Sequence, residues 1–495
     1  MNLNSSLKSK TGKAFWDLIS NVSPQVAKNL AKRPLARKTI LGLMEKNLRR
    51  TTLENPNYPY QVQADKFYMG RALLKSLDKV LTQINRHPTY NRSLYNSVLP
   101  KGLHAWQTGK EKIEAFKDKY GFCPPGFLTV SPGKLCNLKC TGCYANSSSA
   151  ACEKLDWETV DRIITEKSQD WASWFTVVSG GEPLLWQSQG KTIIDLAKNH
   201  QDNFFLIFTN GTLIDKKMAR KLAETGNITL AISVEGFAKE TDERRGQGTH
   251  KRILKAMKNL RDEGIPFGIS LTATRKNAEL ITSEKLIKYY WDRGASYAWI
   301  FQLMPIGRGS MDLVVTPEQR LKMFRRTQKL IRKGYFIADF WNCGAVVSGC
   351  ISAGRPTGGG YLYLEWNGNI TPCVFNPYAV GNINEIYKKG GSLNDVLSSN
   401  FFTKIRQWQR DYGLGKKPEE IGNWILPCPI RDHYREMKQF IKETKPKPID
   451  EAADQALKDK EYEKKMIEYD RELAKILNPV WEKEYLKKRR DNCRH

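Results

Sequence analysis

The stretch FLTVSPGKLCNLKCTGCYANSSS, residues Phe127 to Ser149, runs from a short aromatic and β-branched segment through a Ser-Pro-Gly turn into Cys136, Cys140 and Cys143. FLTV reads as a strand and SPG as its end. Five later segments repeat the pattern: FTVVSGGEP (175–183), FFLIFTNG (204–211), ITLAISVEG (228–236), FGISLTAT (267–274) and YAWIFQLMPIG (297–307). DWETVDRIITEKS, KTIIDLAKNH, DKKMARKLAETG, HKRILKAMKNLRDEG and SEKLIKYYWDRG lie between them, each with apolar residues three and four apart. Strands without alternation are covered on both faces, so six strand-helix units in series predict a parallel sheet. The expected fold is α/β: a partial (β/α)6 TIM-like barrel with a helical N-terminal extension and a small cysteine-containing C-terminal α+β domain. Chemistry in such barrels sits at the C-terminal ends of the strands. The thiol-bearing loop follows the first strand at that rim.

Around this centre the chain divides into four expected parts. Residues 1–122 read as a basic helical region, with AFWDLISNV (14–22), ARKTILGLMEKNLRR (36–50) and MGRALLKSLDKVLTQIN (69–85) punctuated by Pro34, Pro56, Pro59 and Pro88. Residues 123–317 form the barrel and 318–435 the cysteine-bearing domain, in which YLYLEWNGNITPCVF reads as a hairpin about Asn367-Gly368. Residues 436–495 are a charged helical tail, broken near Pro479. A chain of 495 residues with 40% hydrophobic residues can bury more than one core, which excludes a disordered tail. It shows neither a signal-peptide pattern nor a run of about 18 apolar residues, so a cytoplasmic protein is expected. In that reducing setting, ten cysteines are ligands, catalytic groups or buried thiols rather than a disulfide framework. The net charge of +28 is uneven, with 22 Lys and Arg against 8 Asp and Glu in residues 1–120. That region can contact an anionic membrane surface or cap the barrel mouth. No nucleic-acid-binding module is recognisable, so no specific nucleic acid is expected.

Three cysteines spaced C-x3-C-x2-C on one short loop can serve a single polynuclear site. Structural zinc takes four ligands in a closed tetrahedron. A four-iron cubane held by three thiolates instead keeps one iron open. The polar residues Asn137, Lys139, Thr141 and Gly142 argue against a plain buried-thiol cluster.

The loop resembles that of the radical S-adenosylmethionine (radical SAM) superfamily, whose open iron is chelated by S-adenosylmethionine. SGGEP (179–183) resembles the family's Gly-Gly-Glu motif, FTNGT (208–212) its third strand end, and ISVEG (232–236) its Ser-x-Asp/Glu-Gly motif. The segment DERRGQGTHKRILKAMKNL resembles the Arg-Gly-x-Gly stretch of the subgroup with an auxiliary-cluster domain. The resemblance implies a [4Fe-4S] cluster on the catalytic Cys136, Cys140 and Cys143. It also implies S-adenosylmethionine contacts at Tyr144, Gly180, Gly181, Glu182, Thr209, Asn210, Ser233, Glu235 and Arg245. Glu182 would accept from the ammonium group and paired glycines would admit the ligand; Ser233 and Arg245 would hold the carboxylate and Glu235 would lie near the ribose. One departure is Gly142, where the family usually has an aromatic residue before the third cysteine.

GCISAG and GNITPC look like the start of a SPASM domain, but VFNPYAVGNINEI lacks the dense cysteine run of the full form. A shorter, twitch-like domain is implied, with at most one auxiliary iron-sulfur cluster on Cys343, Cys350, Cys373 and Cys428. The implied activity is oxidoreductase-like: a reduced cluster cleaves S-adenosylmethionine to a 5'-deoxyadenosyl radical, which takes hydrogen from a peptide, protein or lipid-like small molecule. An electron donor such as a ferredoxin or flavodoxin is implied as a partner. The alternative is a non-enzymatic basic iron-sulfur protein that binds RNA or a membrane surface.

Overall fold

The computed structural model describes residues 32–487, so the expected helix AFWDLISNV lies outside the described residues. The six expected strands form as β1 (Phe127–Val130), β2 (Phe175–Val178), β3 (Phe204–Thr209), β4 (Ile228–Val234), β5 (Phe267–Ala273) and β6 (Ala298–Gln302). Each pairs in parallel with the next.

The sheet is larger than six strands. β7 (Ile337–Asp339) adds in parallel beyond β6. At the other edge β8 (Tyr361–Leu364) pairs in parallel with β1 and continues antiparallel into β9 (Asn369–Thr371) and β10 (Gly381–Asn382). One ten-stranded sheet results, in the order β10-β9-β8-β1-β2-β3-β4-β5-β6-β7. The expected hairpin is β8-β9, turning at Gly368 with φ +89°. Its first strand joins the barrel sheet, so the region carrying the later cysteines is continuous with the region carrying the earlier ones.

Among the helices are α1 (Pro34–Leu53), α2 (Tyr60–Ile84), α3 (Leu99–Tyr120), α4 (Trp157–Asp170), α5 (Ile193–Asn199), α6 (Lys216–Ala223), α7 (Ala238–Arg245), α8 (Thr249–Asp262), α9 (Glu284–Asp292), α10 (Pro317–Lys333) and α11 (Lys460–Val480). Their starts follow from local chemistry. Asp215 and Ser283 accept from the backbone N–H groups of Met218 and Leu286. Thr316 and Gln319 form a capping box with Pro317 in the first turn of α10. Between helices and sheet, Ile163, Ile253, Leu260, Ile287, Ile207 and Leu230 are fully buried in the main core. No helix among the described residues is long and apolar enough to cross a membrane.

The tail differs from expectation at Pro479. α11 continues through it into a wider π turn, Trp481–Leu486, and is not broken. Leu473, Leu477, Trp481 and Tyr485 make the continuation favourable by packing into a second core with Val62, Phe324 and Trp424. There the Tyr485 hydroxyl donates to Asp65 Oδ2 on α2 at 2.5 Å. Burial pushes the Asp65 carboxyl up from 3.8 to about 6, with the Tyr485 hydrogen bond pulling the other way. Between those values the folded chain binds a proton that the unfolded chain has released, so this group's contribution to stability falls as pH rises. Asp65→Asn removes that dependence. The melting temperature of the variant, relative to the parent, is therefore expected to rise from pH ~4 to pH ~7 and then level off; a constant difference would contradict the assignment.

Candidate functional site

The loop after β1 is fixed to the end of β2 by backbone. Gly181 N donates to Gly133 O at 2.9 Å and Glu182 N to Leu135 O at 2.8 Å. Gly180 sits at φ +114°, and a Cβ there would meet Gly133 O at 2.6 Å; a Cβ on Gly181 would overlap Leu135 O. The paired glycines thus admit the cysteine loop itself, where the sequence pattern pointed to close approach by a ligand. Arg308, in the Gly-Arg-Gly turn after β6, clamps the same loop. Its Nε and Nη2 donate to Cys140 O at 3.2 and 3.1 Å, its Nη1 to Asn146 Oδ1 and Ser147 O at 2.9 Å, and its own N–H to Cys143 O at 3.0 Å. Arg308 was not found from sequence; its signal was a glycine-flanked arginine at a strand end on the same rim.

Gly142 has a structural reason. Its φ is +68°, and a Cβ would stand 2.7 Å from Leu303 Cδ1 and 3.4 Å from Leu313 Cδ1. The space an aromatic side chain would need at this position is filled from beyond β6. Tyr144 supplies the nearby aromatic ring, with its hydroxyl 2.8 Å from Ser179 Oγ and accepting from Gly180 N at 3.2 Å.

The two candidate carboxylates stand behind the cavity wall. Glu182 is 2% exposed, its Oε1 accepting from Thr209 Oγ1 at 2.7 Å and Leu184 N at 3.2 Å, its Oε2 from Asn210 N at 2.7 Å. Burial raises its pKa despite these bonds. Those bonds set Asn210, whose Nδ2 lies 3.8 Å from Cys136 Sγ and donates to Asn137 Oδ1 at 2.8 Å. Glu235 is likewise buried, and its Oε1 receives Arg244 Nη1 and Arg245 Nη2 at 2.5 Å each. Arg245 Nη1 is 3.9 Å from Cys140 Sγ. Burial pulls the Arg245 pKa down, but the Glu235 carboxylate beside it outweighs this and raises it, so this guanidinium stays charged. The wall itself carries Tyr144, Gly180, Gly181, Thr209, Asn210, Ser233 and Arg245, with Arg244 as an addition the sequence pattern did not single out.

One cavity of about 520 Å³ is lined by Cys136, Cys140 and Cys143 and also by Cys343, Cys350, Cys373 and Cys428. Cys343 follows β7, Cys350 precedes β8, Cys373 follows β9, and Cys428 begins the short Pro429–Asp432 turn. An aromatic group stands between the two sets. Phe375, two residues after Cys373, has its ring 6.4 Å from that of Tyr144, 6.0 Å from Phe301, 5.6 Å from Phe340 and 4.8 Å from Trp341. Deeper in the barrel the wall is Phe127, Phe175, Phe208 and Trp299.

Under the later cysteines lies a buried ion pair. Arg320 and Asp432 are both fully buried and meet through Nη1–Oδ1 at 2.5 Å and Nη2–Oδ2 at 3.0 Å. Asp432 Oδ2 also accepts from Cys428 N at 3.1 Å. Arg320 Nε reaches Asn342 Oδ1 at 3.4 Å, and Asn342 Nδ2 donates to Asp339 Oδ2 at 2.7 Å. The network links α10, the end of β7, and the backbone at or next to Cys343 and Cys428.

The donor set fits iron-sulfur clusters. All nine described cysteines are free. Among the described residues no three Cys, His, Asp or Glu side chains converge on a single metal ion. A cubane spreads its thiolates over separate irons, and the cysteines lining this cavity offer thiols to such a group. Burial pushes Cys136 up to about 11 and Cys343 and Cys373 up to about 12, and Cys428 well above its ordinary value. Such thiols become thiolates when a cationic cluster binds. Of the remaining cysteines, Cys123 and Cys152 lie off the cavity and Cys493 lies outside the described residues.

Residues 130–277 match the family model of the Radical SAM superfamily, and residues 356–418 match that of SPASM, an iron-sulfur cluster-binding domain. Among curated proteins the chain is 29% identical over 216 residues to an Fe-coproporphyrin III synthase of Methanosarcina barkeri, covering 40% of this chain and 51% of that one. It is 28% identical over 280 residues to an AdoMet-dependent heme synthase of the same organism (50% and 77%). It is 27% identical over 303 residues to the mycofactocin maturase MftC of Mycolicibacterium smegmatis (58% and 74%). The chain thus spans about half the length of the first of these relatives. Among solved structures, Streptococcus suis SuiB bound to its precursor peptide SuiA is 18% identical, with a TM-score of 0.49 over 61% of this chain and 72% of that one.

Proposed function

We propose that this chain, which carries a radical SAM domain followed by a SPASM domain, removes hydrogen from an apolar group held between two iron-sulfur sites. The single observation that carries this reading is the cavity common to Cys136, Cys140, Cys143 and the four later cysteines. When bound, the first cluster and S-adenosylmethionine supply reductive cleavage to a 5'-deoxyadenosyl radical. The radical SAM match supports an enzyme over the non-enzymatic alternative.

The protein's own part is to bind, orient and exclude water. Cys136, Cys140 and Cys143 hold the first cluster; Ser233 and the Arg244-Arg245 pair offer donors to a carboxylate beside it. Glu182 acts by setting Asn210, and Glu235 by holding both guanidiniums, so each is a positioning residue. The wall around Phe375, Phe301, Phe340 and Trp341 is apolar and aromatic, which suits a hydrocarbon or aromatic group on the substrate. The relatives include both maturases and heme synthases; a peptide or a lipid-like molecule carrying that group would meet the same wall. A ferredoxin or flavodoxin would deliver the electron.

Glu235→Gln leaves two guanidiniums facing a neutral amide. S-adenosylmethionine binding is expected to weaken about tenfold while iron content stays constant, measured by equilibrium dialysis on reconstituted protein. Unchanged affinity would remove Glu235 from the account. The reading as a whole is tested by iron analysis after anaerobic reconstitution. Wild type is expected to hold roughly eight irons, and a Cys373→Ala/Cys428→Ala chain roughly four. Equal iron in both would leave the later cysteines without a cluster.

A further inference from the structure

α1 packs one side on α2 and leaves the other uncovered. Of its 20 residues only Arg37 is buried, and that side chain is tied to α2 through Asp78 and Thr82. Helices in folded proteins gain most of their stability from a packed face, yet this one turns Leu35, Lys38, Gly42, Leu43, Lys46 and Arg49 to solvent. Leu35 is 83% exposed and Leu43 54%. On α2, against which α1 packs, Leu73 and Leu77 are exposed as well. Four of the seven exposed large hydrophobic residues among the described residues therefore lie on this helix pair.

The exposed charges around Leu35 and Leu43 have one sign, and Asp78 beside Leu77 is paired with Arg37. Lys32, Arg33, Lys38, Lys46 and Arg49 are exposed, and the one acidic residue of α1, Glu45, is half-buried. We propose that the α1 face docks on an anionic lipid surface, its leucines entering the headgroup boundary while its cations meet lipid phosphates. A helix that lies in an interface needs this combination of exposed apolar side chains and flanking cations, and each Lys or Arg near an anionic surface adds to the attraction. RNA would satisfy the cations but leave the leucines wet. α1 and its partner are too charged to cross the bilayer, so the contact is peripheral.

The test is flotation of the full-length reconstituted protein with vesicles of phosphatidylcholine mixed with phosphatidylglycerol, against vesicles of phosphatidylcholine alone. The protein is expected to float with the anionic vesicles only, less so as salt is raised. Leu35→Glu/Leu43→Glu should reduce binding by at least about tenfold. The same variant should form 5'-deoxyadenosine as the parent does, since both side chains are exposed and off the cavity wall. Several outcomes would overturn the proposal: no flotation of the parent chain; equal flotation of the variant; flotation only after residues 1–31 are deleted, which would make that segment the occupant; a dimer abolished by the substitutions without vesicle binding; or retention of a short RNA without vesicle binding.

Discussion

A Cys136→Ala chain is expected to form no measurable 5'-deoxyadenosine, a fall of at least about a thousandfold, while Cys152→Ala matches the parent. Cys136 is buried, it accepts from Leu138 N at 3.4 Å, and it has Asn210 Nδ2 at 3.8 Å. Its thiol, pushed up to about 11 chiefly by burial, is stable as a thiolate only when a cluster neutralises it. With it gone, the proposed cluster keeps only Cys140 and Cys143, on a loop that Arg308 still holds in place. The loss is therefore of cluster and not of fold. Cys152 is exposed and off the cavity wall, which makes it the control for cysteine removal as such. Product from a Cys136→Ala chain at the parent's rate would contradict the assignment of the cluster loop.

Arg320→Met is the second large effect. Removing one partner of a fully buried pair leaves the other charge uncompensated, at a cost of about 3 to 5 kcal/mol. Here the stranded group is Asp432, whose Oδ2 also receives Cys428 N, and the lost guanidinium also served Ile425 O. The expected result is a lower melting temperature together with loss of the auxiliary iron, with Cys136-dependent iron retained. Arg320→Met/Asp432→Leu removes both charges and should recover part of the stability without restoring the Cys428 backbone contact. Iron content and melting temperature measured on the same preparations check this; a parent-like Arg320→Met chain on both counts would show that the pair does not hold the Cys428 turn.

How much was legible beforehand depended on locality. The six strands could be read because a parallel strand buried on both faces leaves an unbroken apolar run, as in Ile228–Val234. β7 could not, being only the three residues Ile337–Asp339. β8 was visible as half of a hairpin, but its pairing with β1 joins segments far apart in sequence, which no local pattern reports. The cysteine spacing pointed to one site, and the structure sets both cysteine groups around a single cavity. The carboxylates were harder. Glu182 and Glu235 stood out as acceptors at strand ends, but what they accept from, backbone N–H, Thr209 and two guanidiniums, depends on neighbours the chain brings in later. Gly142 was visible as a departure, and its cause, Leu303, lies on the far side of the barrel sequence.

The central claim is that Cys136, Cys140 and Cys143 hold a cluster that cleaves S-adenosylmethionine. Its most direct test is mass-spectrometric detection of 5'-deoxyadenosine from the anaerobically reconstituted, chemically reduced full-length chain supplied with S-adenosylmethionine. Time-dependent product that requires both the reductant and Cys136 is expected; fully iron-loaded protein that binds S-adenosylmethionine and yields none would contradict that assignment.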